Sequence, residues 1–398
     1  MNDRQIFITP HSDLGKFNPT PQQELLLQAA LLSGNAAVNA WEKWKSIVDI
    51  DLIDYASMQI FPLLYQNLKI LEIDDPQINI YKGLFRSSWY ENQRLLKTAV
   101  DLVTEFQSVG IDCLFLKGTA LILEYIKTPG LRPMGDIDIL VKPNHVCQAV
   151  DYFEKTGWVP TTDYPDLRKE AYFTYHHSVG FANQRDQHVD LHRSLLFPSP
   201  IQDSDADFWD GAVQSEIDGL PVLILNPTDM LIHTCIHGLR EHNAEIFRWI
   251  ADAMTILKNK SSQIDWERLI DQTRKRRLVP ELSNGLAYLA YLLDAPIPPQ
   301  VLGAIGNEKV STFERWEYNY AISDKRPLGR IPGFWFYYVR CLNPEFYMPI
   351  RLKFSGFLSY LQLNWKANNL WELGRLFLTK SMRRIRGLFK SGQPAVGG

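Results

Sequence analysis

A chain of 398 residues has room for two or three domains, each with a sizeable core. With 45% hydrophobic residues and a net charge of −3, it reads as globular. It has no global attraction to nucleic acid or acidic membranes, so any such contact must come from a local patch. Cys113, Cys147, Cys235 and Cys341 lie far apart without metal-type spacing, which argues against a disulfide scaffold and fits a reducing compartment. The N-terminal residues lack the basic and apolar regions of a signal peptide, and no apolar run approaches the length of about 18 residues needed to span a bilayer. A cytoplasmic location is therefore expected.

In chain order, residues 1–20 read as a loose arm. A helical pattern begins at Pro21 and stops near Ser33-Gly34; residues 36–48, 51–67 and 77–109 carry further helical periodicity, the last broken at Gly110. This helical module shows no chemistry, and a packing or substrate-shaping role is its expected use.

The apolar run Ile111–Leu116 reads as a buried strand. Gly118 follows, where a missing side chain lets backbone N–H groups approach an anion. Thr119 adds a hydroxyl, and the helical run Ala120–Ile126 ends at Thr128-Pro129-Gly130. Lys117 and Arg132 flank the turn within reach of phosphates. The second strand carries Asp136 and Asp138, which at i, i+2 project from one face while Ile137 and Ile139 point into a core. Two such carboxylates repel by about 1 kcal/mol in water and roughly 4 kcal/mol at a protein surface. A cation between them relieves that cost, and hard carboxylate oxygens favour Mg²⁺ or Mn²⁺.

Residues 144–156 form an amphipathic helix in this reading. Residues 171–182 and 187–196 then make two antiparallel strands around an Asn183–Asp186 turn. On the second of them His188, Asp190 and His192 share a face, and Asp190 is the natural third carboxylate. His176, His177, His188 and His192, with the i, i+4 pair His233 and His237, could together build a zinc site. No Glu accompanies the helical pair, however, and His192 reads better as a residue supporting the carboxylates. Asp218–Pro221 reads as a turn and Val222–Leu225 as a short strand, while Asn226-Pro227 caps the first of three helices at 228–240, 245–258 and 265–275. His237, Arg248 and Asp252 either line the cleft, or Arg248 and Asp252 simply pair four residues apart on one helix. Arg274–Arg277 complements a helix C-terminus.

The C-terminal third is aromatic-rich over 333–338 and 354–363. From Leu373 onward it has no acidic residue, so Arg375, Lys380, Arg383, Arg384, Arg386 and Lys390 alternate with apolar residues. Segment 373–390 reads as a basic amphipathic helix, suited either to an anionic membrane surface or partner or to packing on its own domain. Residues 391–398 read as disordered.

Taken together, Lys117-Gly118-Thr119, Arg132 to Gly135-Asp136-Ile137-Asp138, and Val189-Asp190-Leu191-His192 resemble an uncharacterised bacterial family of nucleotidyltransferases within the polymerase-beta-like superfamily. The likeness covers about residues 109–200 and continues weakly at His237 and Arg248–Asp252. It departs from the superfamily pattern at Thr119, where Gly or Ser is usual, and in a longer gap from Gly118 to Asp136. The resemblance implies an α+β fold in which a small mixed-sheet core, 109–225, is flanked by helical domains over 1–108 and 226–398. It further implies two Mg²⁺ or Mn²⁺ ions on Asp136, Asp138 and Asp190, and an NTP held at Lys117, Gly118, Thr119 and Arg132, with His192, His237, Arg248 and Asp252 in support. A nucleoside monophosphate would pass to a hydroxyl acceptor, favoured as a small molecule or protein over nucleic acid. The competing class is a catalytically silent adaptor that retains the fold and recruits a partner or membrane surface.

Overall fold

The structure is a computed structural model, and it describes residues 14–161, 176–196, 205–240, 247–323, 330–342 and 350–379, of which 350–353 as backbone only. The chain packs as two compact units, Met1–Pro327 and Leu328–Gly398.

The described part of the first unit opens on buried residues. Leu14 and Phe17 are buried, which corrects the expectation of a loose arm for the described part of that stretch. Gly15 makes this possible: its φ is +59°, and a Cβ there would lie 2.3 Å from the Ile322 carbonyl oxygen. Helix α1 (Pro21–Leu31) opens on a capping box in which Thr20 and Gln23 satisfy each other's backbone N–H. Helix α2 (Gly34–Ile47) follows. The expected helix at 51–67 is instead broken into a 3₁₀ turn (Ile50–Leu52), a single helical turn α3 (Tyr55–Met58) and α4 (Phe61–Ile70). The side chain of Asp54 caps α3 at the Ser57 N–H, and Pro62 starts α4, so each break has a local cause. Helix α5 (Ile78–Ser108) is the long helix that the periodicity predicts.

Strand β1 (Cys113–Phe115) leads into α6 (Lys117–Leu121), which continues as a π-helical turn over Ile122–Ile126. Strand β2 (Ile137–Val141), helix α7 (Val146–Lys155) and strands β3 (Val159–Pro160), β4 (Ser178–Ala182) and β5 (His188–His192) come next. A short helix α8 (Ala206–Asp210) precedes the hairpin of β6 (Val213–Ile217) and β7 (Leu220–Ile224). The turn read at 218–221 is the tip of this hairpin, and β6 was absent from the sequence reading. Its exposed, polar-rich Val213–Glu216 carries no apolar run to announce a strand.

The seven strands form one mixed sheet in the order β3-β4-β5-β2-β1-β7-β6. Strand β1 pairs antiparallel with β2 and parallel with β7. Strand β2 pairs parallel with β5, setting Asp138 opposite Asp190 and Leu140 opposite His192. The expected β4–β5 pair is antiparallel, as read. Every residue of β2 is buried, so the sheet is covered on both faces at this point.

Six further helices follow among the described residues of this unit: α9 (Pro227–Arg240), α10 (Arg248–Lys260), α11 (Trp266–Lys275), α12 (Val279–Leu293), α13 (Pro299–Gly306) and α14 (Thr312–Ile322). Asn226 caps α9 as read, accepting from the Asp229 N–H at 3.0 Å. The Arg274–Arg277 cluster is engaged internally. Arg274 pairs with Glu308 and Asp271, Lys275 pairs with Asp207, and Arg276 lies over the Phe208 ring at 4.0 Å.

In the second unit, α15 (Ile331–Cys341) meets α16 (Ile350–Trp365) through rings: Trp335 contacts Phe357 at 5.1 Å and Tyr338 contacts Tyr360 at 5.7 Å between centroids. The aromatic richness of this region is thus its packing material. Residues 380–390 of the basic segment and the tail 391–398 lie outside the described residues. Among the described residues, no helix is long and apolar enough to cross a membrane.

One side chain ties the N-terminal helices to the sheet. Asn92 on α5 is fully buried and donates to the carbonyls of Pro129 (2.5 Å) and Arg132 (2.7 Å), while its own oxygen accepts from the Met134 N–H (3.1 Å). It therefore holds both ends of the loop that enters β2. Replacing it (Asn92→Ala) leaves these buried groups unsatisfied and is expected to lower stability by roughly 2–3 kcal/mol, read as a lower urea midpoint at unchanged slope.

Candidate functional site

The site grows from the parallel β2–β5 pair. Because the two strands run in register, Asp138 and Asp190 are adjacent on one face of the sheet, and His192 lies two residues along from Asp190 on that same face. The side chain of Asp138 is 4% exposed and that of His192 is 2%, whereas Asp190, at 27%, opens toward solvent. The His192 Nε2 lies 3.1 Å from Asp138 Oδ1 and 3.2 Å from Asp190 Oδ2, bracing both carboxylates from within. From α6, Lys117 brings its Nζ to 2.8 Å from Asp138 Oδ1.

Burial alone would push the Asp138 carboxyl up, since a charge in low dielectric is costly. The Lys117 ammonium and the His192 imidazole outweigh this and hold it well below the usual carboxylate range. Asp190 follows the same pattern: burial opposes ionisation, and His192 lowers its pKa. Burial likewise works against a charged His192, yet Asp190 and Asp138 push it up to about 9. Two carboxylates and two cations thus balance within one buried cluster.

Further histidines surround the cluster. The His177 ring lies 5.6 Å from that of His192, and on α9 the rings of His233 and His237 are 6.0 Å apart. His233 is buried and neutral, because burial, then His237, Lys117 and His192, all drive its pKa far down. Cys235, between the two helical histidines, is buried in the core.

The loop before β2 is gripped from a second side. Arg132 is buried and pairs with Asp252 on α10 through two bonds of 2.9 Å, Nε to Oδ1 and Nη2 to Oδ2. This fork-to-fork geometry fixes orientation as well as charge. Of the two sequence readings of Arg248 and Asp252, cleft lining or an i, i+4 pair, the second gives way to a long-range pair of Asp252 with Arg132. Arg248 instead donates to the carbonyl of Pro133 (3.1 Å) and to Gln59 Oε1 (3.3 Å). Arg132, read from sequence as a phosphate ligand, is in this structure an anchor of the loop.

Gly118 is needed for close approach. A Cβ there would sit 2.4 Å from Arg132 Nη1 and 2.6 Å from Met134 Sδ, so the bare backbone makes room for the gripped loop. The hydroxyl of Thr119 is buried, without a hydrogen-bond partner among the described residues. Asp136 lies in the bend just before β2 and is exposed, so it enters the strand from the solvent side and stands outside the Asp138–Asp190–His192 cluster.

The donor set fits a divalent cation. Asp138, Asp190 and His192 each offer one ligand atom, and these atoms lie within 4.8 Å of one another. The two hard carboxylate oxygens suit Mg²⁺ or Mn²⁺, and the imidazole nitrogen can join them only when His192 has lost its proton. Of the three carboxylates read from sequence, Asp138 and Asp190 come together with His192, and Asp136 does not join that cluster. Sequence reasoning missed Asn92 and the Lys117–Asp138 pair, since neither contact has a local sequence signal beyond residue type.

A family profile described as "Uncharacterised nucleotidyltransferase" matches residues 48–294. That span takes in α5 and α10, the helices that grip the loop, well beyond the 109–200 read from motifs. Among solved structures, an antigenic nucleotidyltransferase-like protein from Paracoccidioides brasiliensis is similar over 56% of this chain and 96% of its own, at 16% identity and a TM-score of 0.33. No curated protein matches the chain.

The buried Arg132–Asp252 pair gives a direct test of the loop's anchoring. Removing one partner (Asp252→Ala) leaves an uncompensated buried charge and is expected to cost roughly 3–5 kcal/mol. The apolar double replacement Arg132→Met with Asp252→Leu is expected to recover part of that loss, measured by chemical denaturation in a double-mutant cycle.

Proposed function

The chain belongs to the uncharacterised nucleotidyltransferase family, and on that premise we propose that it is a metal-dependent enzyme that moves a nucleoside monophosphate from an NTP to a hydroxyl acceptor. The observation that carries this reading is the in-register placement of Asp138 opposite Asp190, with His192 completing the donor cluster. Asp138 and Asp190 would hold the divalent cation, and Asp136, exposed at the entrance to β2, would serve a second one. Such a cation supplies charge stabilisation to the phosphoryl oxygens and orients the reacting groups.

The remaining work falls to the chain. Asp190, partly open to solvent, takes the proton of the acceptor hydroxyl. The acceptor oxygen then bonds to the α-phosphorus, the α–β bridging P–O bond breaks, and pyrophosphate leaves with the bonding electrons. Lys117, Gly118 and Thr119 would border the phosphates. His192 holds both carboxylates in place, and Arg132, Arg248 and Asp252 keep the loop from drifting. His237 lies on α9 with its ring 6.0 Å from that of His233.

A second reading, the silent adaptor, draws support from one feature: Lys117 and His192 already neutralise the carboxylates without any added ion. Label transfer separates the two. Wild-type protein with Mg²⁺ or Mn²⁺ and each α-labelled NTP, alone and with cell extract, is expected to transfer label and release pyrophosphate. Asp138→Asn is expected to reduce the rate about a thousandfold, equivalent to roughly 4 kcal/mol of lost transition-state stabilisation. Folded wild-type protein that transfers no label from any NTP to any component of the extract would favour the adaptor.

A further inference from the structure

We infer that Lys117 is an exchange cation: its ammonium neutralises Asp138 while no divalent cation is bound, and moves to the triphosphate when one takes its place. The inference rests on the reading that the site takes a divalent cation and an NTP.

Three observations converge on this residue. The Nζ of Lys117 lies 2.8 Å from Oδ1 of Asp138, one of the atoms of the donor cluster. A hard divalent cation would bind the same oxygen at about 2.0–2.6 Å, so ammonium and metal compete for it. Asp138 is 4% exposed whereas the Lys117 side chain is 19% exposed, so the carboxylate is fixed in the sheet and the lysine reaches it from the open side. A flexible four-carbon stem ending in a compact charge suits a group that must leave and rebind.

The backbone supplies the third observation. Lys117 has φ of +42°, in the left-handed region that a residue with a side chain rarely adopts. Such a conformation persists where the surrounding structure enforces it, and it is concentrated at switching and catalytic positions. Here it coincides with the contact to Asp138, at the residue immediately before Gly118 and Thr119, the segment proposed to border the phosphates. One side chain can therefore serve either anion without movement of β2. Because the leaving ammonium gains an anionic partner only when nucleotide is present, cation and NTP should bind with positive coupling, and such coupling is reciprocal.

The test uses the full chain, stripped of metal with EDTA and titrated with Mn²⁺ alone, with free Mn²⁺ read by electron paramagnetic resonance. Lys117→Met is expected to bind Mn²⁺ about tenfold or more tightly than wild type, and to bind a non-hydrolysable NTP analogue more weakly at saturating Mn²⁺. Lys117→Arg, which keeps the positive charge, should retain wild-type Mn²⁺ affinity. Lys117→Gly suits the positive φ and provides a charge-free variant if Lys117→Met does not fold, as judged by circular dichroism. Wild-type binding of Mn²⁺ with no tightening in either charge-free variant overturns the exchange while leaving the proposed function standing. Absence of Mn²⁺ binding in wild type and in both charge-free variants overturns the exchange together with the metal dependence of that function.

Discussion

A carboxylate buried in the middle of a sheet governs this structure. Asp138 lies on β2 among residues that are themselves buried, where an isolated charge would be far too costly to keep ionised. Two cations make it tenable, Lys117 from α6 and His192 from β5, and each must be held at hydrogen-bonding distance. The register of β2 on β5 and the unusual backbone of Lys117 are the two geometric conditions for that balance. A one-residue slip of β5 would turn Asp190 and His192 away from Asp138 and leave the buried charge facing Val189 or Leu191.

The same constraint explains the helices on either side of the sheet in sequence. The loop entering β2 has little regular structure, so its hydrogen-bonding groups need partners from elsewhere. Asn92 satisfies three of them from α5, while Asp252 and Arg248 act from α10. Gly118 then lets Arg132 and Met134 approach α6 closely. The helical segments are thus part of the apparatus that positions the carboxylates, which accords with a family match that extends over residues 48–294.

Much of this was legible in the chain. Strand–turn–helix at 111–126, the β4–β5 pairing, the Asn226 cap and the long helix at 78–108 all follow from local rules: period, turn residues and capping chemistry. Asp138, Asp190 and His192 were legible as well, because alternation along a strand assigns faces without knowledge of its neighbours. The expected helix at 51–67 failed on local grounds that period alone cannot register, namely a capping Asp54 and a proline at the start of α4.

What the tertiary structure alone decided is which charge meets which. Arg132 and Asp252 are 120 residues apart, and no spacing rule links them; the nearer candidate, Arg248, was turned to the Pro133 carbonyl. Lys117 was readable as a cation near phosphates, but its grip on Asp138 depends on where α6 stands against β2. Leu14 and Phe17 were polar-flanked and looked free until Ile322 came to meet Gly15. The sequence by itself determined the elements, their faces and the residue types of the site, because these depend on short-range sterics and periodicity. Partners depended on the packed fold, because side chains distant in sequence become neighbours only when the core is closed.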